Sequence, residues 1–147
     1  DSWSEQVVTL HNQYRAEYGA PSVTWSKSRY AGALSLANKC EFNHSDPQDQ
    51  YGENLYAATG DASIADALGD WMSEACKWTY NNPGYSDAAG HFTQVVWKST
   101  NQVACAIADC PAGTIFPDAA SKFIVCQYTP PGNYDGEFAC VPSFMAL

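Results

Sequence analysis

The sequence predicts an α+β domain, a small antiparallel sheet covered by helices. Three observations carry this reading. Apolar residues recur at helical spacing through the first half of the chain. Short apolar and β-branched runs, bounded by Gly, Pro and Asn, fill the second half. Six cysteines occur in only 147 residues. No repeat, linker or low-complexity stretch divides the chain, so residues 1–147 are read as one domain.

Residues 4–18 predict a first helix, with Val7, Leu10, His11, Tyr14 and Tyr18 on one face, Ser4 as its cap, and Gly19 and Pro21 as its stop. His11 lies on the apolar face and is read as a packed histidine making one hydrogen bond. Ser22–Trp25 is extended. Ser26 caps a second helix running to about Lys39, with a stripe of Tyr30, Ala33, Leu34 and Ala37. Residues 41–51 are polar, contain Pro47 and form a loop carrying His44; loops on rigid scaffolds often carry function. Within it, Asn43-His44-Ser45 matches a glycosylation acceptor. The match is read as incidental, because a glycan beside His44 crowds any site there.

Gly52–Ala57 reads as a short strand. Asp61 is expected to cap a third helix, 62–78, whose core face is Ile64, Ala67, Leu68, Trp71 and Ala75. Glu74 borders that face, so it does not point straight to solvent. Residues 79–89 are a loop rich in Asn, Pro and Gly. Gly90–Thr100 sets His91 before an apolar block and fits a helix or a strand by pattern alone. Strands follow at 102–108 and 123–128, separated by a loop at 111–121 and ended by Pro130-Pro131-Gly132-Asn133.

Composition excludes several function classes. The net charge of −9 argues against nucleic acid, whose phosphates need Lys and Arg, and against docking on anionic lipid. No apolar run approaches the length of a membrane span. Asp1-Ser2-Trp3 is not a signal peptide, and the expectation is a mature end left by cleavage. The six cysteines Cys40, Cys76, Cys105, Cys110, Cys126 and Cys140 contain no C-x2-C pair. They point to three disulfides and an oxidising compartment rather than a zinc ribbon, with the connectivity left open by spacing.

Four blocks now stand in one order: His44-Ser45 before Gly52-Glu53-Asn54, Trp71 with Glu74, GHFTQVVWKST at 90–100, and FIVCQYTPPGNY at 123–134. Together they resemble the CAP superfamily of cysteine-rich secretory proteins, antigen 5 and pathogenesis-related class 1 proteins, over essentially the whole chain. The resemblance implies a three-layer α-β-α sandwich and secretion. It implies a cleft tetrad of His44, Glu53, Glu74 and His91. Two imidazoles make a partial site for a divalent metal, zinc or magnesium, with the carboxylates orienting the rings or holding bound water. It also implies the pairings Cys40–Cys110 and Cys105–Cys126, which leaves Cys76–Cys140. The plant members' local bridge before the Gly-His is absent, so the 79–89 loop is expected to be freer.

Trp78, Tyr80 and Tyr85 give that loop an aromatic run that resembles the loop of fungal sterol-exporting members. Aromatic faces there suit a flat apolar ligand. A fatty-acid groove between the first and third helices, lined by Val7, Leu10, Ile64 and Leu68, is a further expectation from the resemblance. The leading reading is a secreted, non-enzymatic protein that sequesters or exports a sterol or related small lipid, in host–pathogen interaction or defence. A second is a metal-dependent hydrolase using the tetrad, although no activated Ser or Cys nucleophile is visible. A third is a signalling or defence protein recognised by a receptor or host protein; Cys140 would tether a peptide released from the segment after Cys126-Gln127-Tyr128.

Overall fold

A computed structural model describes residues 2–78 and 88–134. Helix α1 spans Trp3–Glu17, strand β1 Thr24–Trp25, helix α2 Lys27–Ala37, strand β2 Gly52–Thr59 and helix α3 Ile64–Ser73. A 3₁₀ turn, Glu74–Lys77, follows α3; then come helix α4, Gly90–Val95, strand β3, Gln102–Cys110, and strand β4, Ser121–Thr129. The sheet order is β1-β3-β4-β2. β4 pairs antiparallel with both β3 and β2, whereas the two-residue β1 lies parallel to β3. The sheet is therefore mixed, not purely antiparallel. The crossover between β1 and β3 is long enough to bring the chain back in the same direction.

Alternation along the strands builds the layers. Val103, Cys105, Ile124, Cys126 and Tyr128 face one core, shared with Val7 of α1, Ile64, Leu68 and Trp71 of α3, and Phe92 and Val95 of α4. Leu55, Ala106, Ala108, Phe123 and Val125 face the other, closed by Ala33, Leu36 and Ala37 of α2. This is the α-β-α sandwich that the resemblance implied. Leu36 takes a core position missing from the expected α2 stripe, while Tyr30 and Leu34 are only partly buried.

Caps decide the helix starts. Ser2, not Ser4, caps α1, because Glu5 completes a reciprocal capping box. Ser63, not Asp61, caps α3, because Asp66 stands three residues on. Ser26 caps α2 as expected. The third helix stops at Ser73 rather than 78 and tightens into the 3₁₀ turn, which carries Glu74. Gly90–Thr100 resolves as α4 plus a turn.

The sulfurs of Cys40 and Cys110 are bonded, as are those of Cys105 and Cys126, matching two of the expected pairs. Cys105 and Cys126 sit directly opposite one another in the β3–β4 register. Cys76 is exposed, and its expected partner Cys140 lies outside the described residues.

One buried cation ties the layers together. Arg15 of α1 is fully buried, and no carboxylate faces it among the described residues. Its guanidinium donates to the carbonyls of Pro21, Val95, Trp97 and Thr100 at 2.7–2.9 Å. Burial pushes its pKa down to about 10, which leaves it charged at neutral pH. It gathers the carbonyls at and beyond the C-terminal end of α4, the helix that carries His91.

Candidate functional site

Four of the expected site residues form two His–Glu dyads. In the first, Glu53 opens β2 in the register that faces α2, opposite Gln127. Its carboxylate accepts from His44 Nδ1 at 2.9 Å, from the Ser45 backbone N–H at 3.0 Å, from Ser45 Oγ at 2.7 Å and from Gln127 Nε2 at 3.0 Å. Ser45 Oγ is also within 2.6 Å of the Tyr51 hydroxyl, and Tyr51 lies under the Arg29 guanidinium. Burial alone raises the Glu53 pKa. The hydrogen bonds from His44, Ser45 and Gln127 outweigh it, so the carboxyl is held below its ordinary value.

In the second dyad, Glu74 receives three donors: His91 Nδ1 at 2.8 Å, the His91 N–H at 3.0 Å and the Phe92 N–H at 3.1 Å. α4 has no side-chain cap of its own. Glu74 supplies one from another element, placing a negative charge at the helix's positive end. The imidazole of His91 stacks on Trp71, with planes 10° apart and centroids 6.1 Å apart. Trp71 is fixed in turn by its Nε1–H on the Leu55 carbonyl. Asn54 Nδ2 donates to the His91 carbonyl and Asn133 Nδ2 to that of Gly90.

Close approach at Gly52 brings the dyads' supports together. A Cβ there would lie 2.0 Å from Gln94 Oε1, so only glycine lets the start of β2 meet α4. The neighbouring Glu53 and Asn54 then turn to opposite faces of this edge strand, one toward His44 and the other toward His91. Among the described residues no hydrogen bond or ion pair joins one dyad to the other.

The rings share one chemical state at Nδ1. An ionised carboxylate carries no proton, so Nδ1 of each histidine must donate. In the neutral imidazole, Nε2 is then the lone-pair atom, which is how a carboxylate prepares a histidine to bind metal. The His44 side chain is 59% exposed and that of His91 36%, whereas Glu53 and Glu74 are 4% and 14% exposed. Solvent reaches the imidazole side chains far more than those of the glutamates.

Another His–Cys cluster looks like a metal site and is not. The ligand atoms of His11, Cys105 and Cys126 lie within 4.8 Å of one another, fully buried. The two sulfurs are bonded to each other. His11 Nδ1 donates to the Val7 carbonyl and Nε2 meets the Tyr128 hydroxyl, so the histidine makes two hydrogen bonds rather than the expected one. Burial pushes its pKa down to about 4, helped by the nearby charge of Arg15 against the pull of the Val7 carbonyl. No group of three ligand atoms this close includes a dyad residue, among the described residues.

Of the aromatic run, Trp78 is 7% exposed and packs into the core under α3 and α4; Tyr80 and Tyr85 lie outside the described residues. Val7, Ile64 and Leu68 are also buried core residues. Leu10 borders an open depression of about 410 Å³, together with Glu5, Gln6 and Thr9. Sequence reasoning missed Ser45 and Gln127 as partners of Glu53, and Tyr51 as the partner of Ser45. Ser45 stood in the His-Ser block, and Gln127 is a polar residue interrupting the apolar run of β4.

The model of the cysteine-rich secretory protein family, CAP, matches residues 8–128. The chain belongs to this family. It is 39% identical over 140 residues to Protein PRY2 of Saccharomyces cerevisiae, covering 93% of this chain and 40% of that protein. It is 39% identical over 140 residues to Secreted protein RBT4 of Candida albicans, covering 91% of this chain and 36% of that one. This CAP domain thus spans less than half the length of these fungal relatives. The solved structure of NaASP2 with Zn2+ has the same fold, with a TM-score of 0.74 at 21% identity, covering 96% of this chain and 86% of that one. No helix among the described residues is long and apolar enough to cross a membrane.

Proposed function

We propose that this CAP domain works outside the cell as a binding module and not as an enzyme, that its ligand is a small lipid of the sterol class, and that His44 and His91 hold a divalent cation. The observation that carries the choice between module and hydrolase is how heavily both carboxylates are engaged by protein donors. A hydrolase needs a glutamate able to take a proton from water. Glu53 already accepts four hydrogen bonds and Glu74 three, and the depressed pKa of Glu53 makes it a weaker base.

The same engagement supports the cation reading. The carboxylates fix the rings, two Nε2 atoms are left as ligands, and water completes the shell. Zinc is the fitting ion, because neutral imidazole suits it better than magnesium, which prefers oxygen. With only two protein nitrogens, the ion is held more loosely than in an ordinary structural zinc site. The zinc named for the NaASP2 structure agrees with this assignment.

The extracellular reading is supported by two disulfides and by the secreted fungal relative. The sterol reading rests on the aromatic run that begins at Trp78, whose buried ring anchors the start of that segment in the core. Equilibrium binding of labelled ergosterol tests it. Saturable binding that weakens in Tyr80→Ala and Tyr85→Ala is expected, and the absence of saturation overturns it. Calorimetric titration with zinc tests the cation site, with loss of binding expected in His44→Ala and in His91→Ala. A protease and esterase screen with and without chelator tests the third element. Turnover that disappears in His91→Ala would establish the hydrolase instead.

A further inference from the structure

We infer that Asn43 is an N-linked glycan acceptor, and that its glycan roots on the side of the 40–47 loop away from the His44–Glu53 dyad. The inference rests on the extracellular reading above. Asn43-His44-Ser45 is the sole N-x-Ser/Thr acceptor in the 147 residues. The objection from sequence was crowding at His44, and the folded chain removes it.

Asn43 is exposed, and among the described residues its side chain makes no hydrogen bond; only its backbone N–H is engaged, on the Glu41 carbonyl at 2.8 Å. It borders a shallow depression of about 450 Å³ with Lys39, Phe42, Gly113 and Thr114, the last two from the β3–β4 connection. No residue of either dyad lines that depression. His44, one residue on, turns instead to Glu53. Consecutive side chains of this loop therefore serve different surfaces. Phe42 is 50% exposed beside Asn43, with its ring against Phe123, and offers an apolar face to the first sugar.

The timing of transfer also follows from the contacts. In the fold, the Ser45 hydroxyl is taken by Glu53 and Tyr51. Transfer therefore precedes folding, and the folded protein only has to accommodate the product. The bond formed joins Asn43 Nδ2 to the anomeric carbon of an oligosaccharide carried on a polyprenyl diphosphate. The bond broken is that between the anomeric carbon and the phosphate oxygen. The lipid diphosphate leaves with the electron pair, and the amide proton passes to solvent through the transferase.

The test is secretion of the full chain behind a cleavable leader from a eukaryotic host, with intact mass measured before and after enzymatic removal of N-glycans. A hexose ladder that collapses to the polypeptide mass is expected, with the modified peptide mapped to Asn43 and the ladder absent in Asn43→Gln. Secreted, disulfide-bonded protein with unmodified Asn43 overturns the proposal and leaves the extracellular reading standing. Protein retained in the secretory pathway with unpaired cysteines and unmodified Asn43 overturns both. Zinc titration of the glycosylated and deglycosylated forms tests the geometry. Equal affinity is expected, and a tenfold difference would place the glycan over His44.

Discussion

The interior around His11 and Arg15 and the surface around His44 and His91 use the same residue chemistry to opposite ends. Inside, both nitrogens of His11 have protein partners, and Arg15 meets four carbonyls. Nothing is left to bind a ligand, and the network holds α1, α4 and β4 together. At the surface, the partners of His44 and His91 among the described residues engage Nδ1 of each ring, and solvent reaches the rings. A polar cluster becomes a candidate site when it retains unused hydrogen-bonding or ligand capacity, not because it is polar.

The sharpest way to break this contrast is Arg15→Met. It removes the donor from four carbonyls while keeping similar bulk, and a stability loss of about 3–5 kcal/mol is expected by denaturant unfolding, since each buried acceptor left unsatisfied costs about 1–3 kcal/mol and some regain water. A loss under about 1 kcal/mol would show that the interior network is dispensable.

Acid is the next probe. The folded pKa of His11 lies near 4, below its unfolded value of 6.5, so the unfolded chain takes up a proton first as pH falls. Stability should therefore be unaffected by His11 above pH 6.5 and decline by roughly 3 kcal/mol between there and pH 4. Denaturant midpoints measured across this range should slope in the parent and flatten in His11→Gln. Glu53, whose folded pKa is depressed, adds its own loss only at lower pH, as its carboxyl protonates below its unfolded value of 4.5.

Glu74→Gln moves to the surface site. Loss of the charge at the start of α4 should cost about 1–2 kcal/mol by denaturant unfolding. The same change should weaken zinc binding about 10–100-fold in calorimetry, because Nδ1 of His91 loses its carboxylate. His44→Ala is the mildest for the fold. Its side chain is mostly exposed, and a stability change of about 0.5 kcal/mol is expected, with zinc binding abolished. The two measurements should thus run in opposite directions along the series. A variant that loses stability and zinc in parallel would erase the distinction between the regions.

Much of this was legible in the residues. Helical spacing located α1, α2 and α3, and the four ordered blocks pointed to the family, to the four residues of the dyads and to two cysteine pairs. Helix ends were misplaced where a reciprocal cap overruled a nearer candidate, as at Ser2 and Ser63. Arg15 was invisible, because its partners lie 6 to 85 residues away and are backbone carbonyls that carry no side-chain signature. The aromatic spacing of Trp78, Tyr80 and Tyr85 carries no mark of burial, and Trp78 is core.

The sequence by itself determined the α+β class, the faces that repeat every two or 3.6 residues, the family, and the identities of His44, Glu53, Glu74 and His91. Those follow from local periodicity and from short ordered motifs. Only the tertiary structure decided that the four residues split into two dyads, that each carboxylate is held by several protein donors, that Nδ1 is the engaged nitrogen, and that Asn43 and His44 serve different surfaces. The physical reason is that a side chain's remaining valence depends on every partner the fold brings to it, and those partners are distant in the chain.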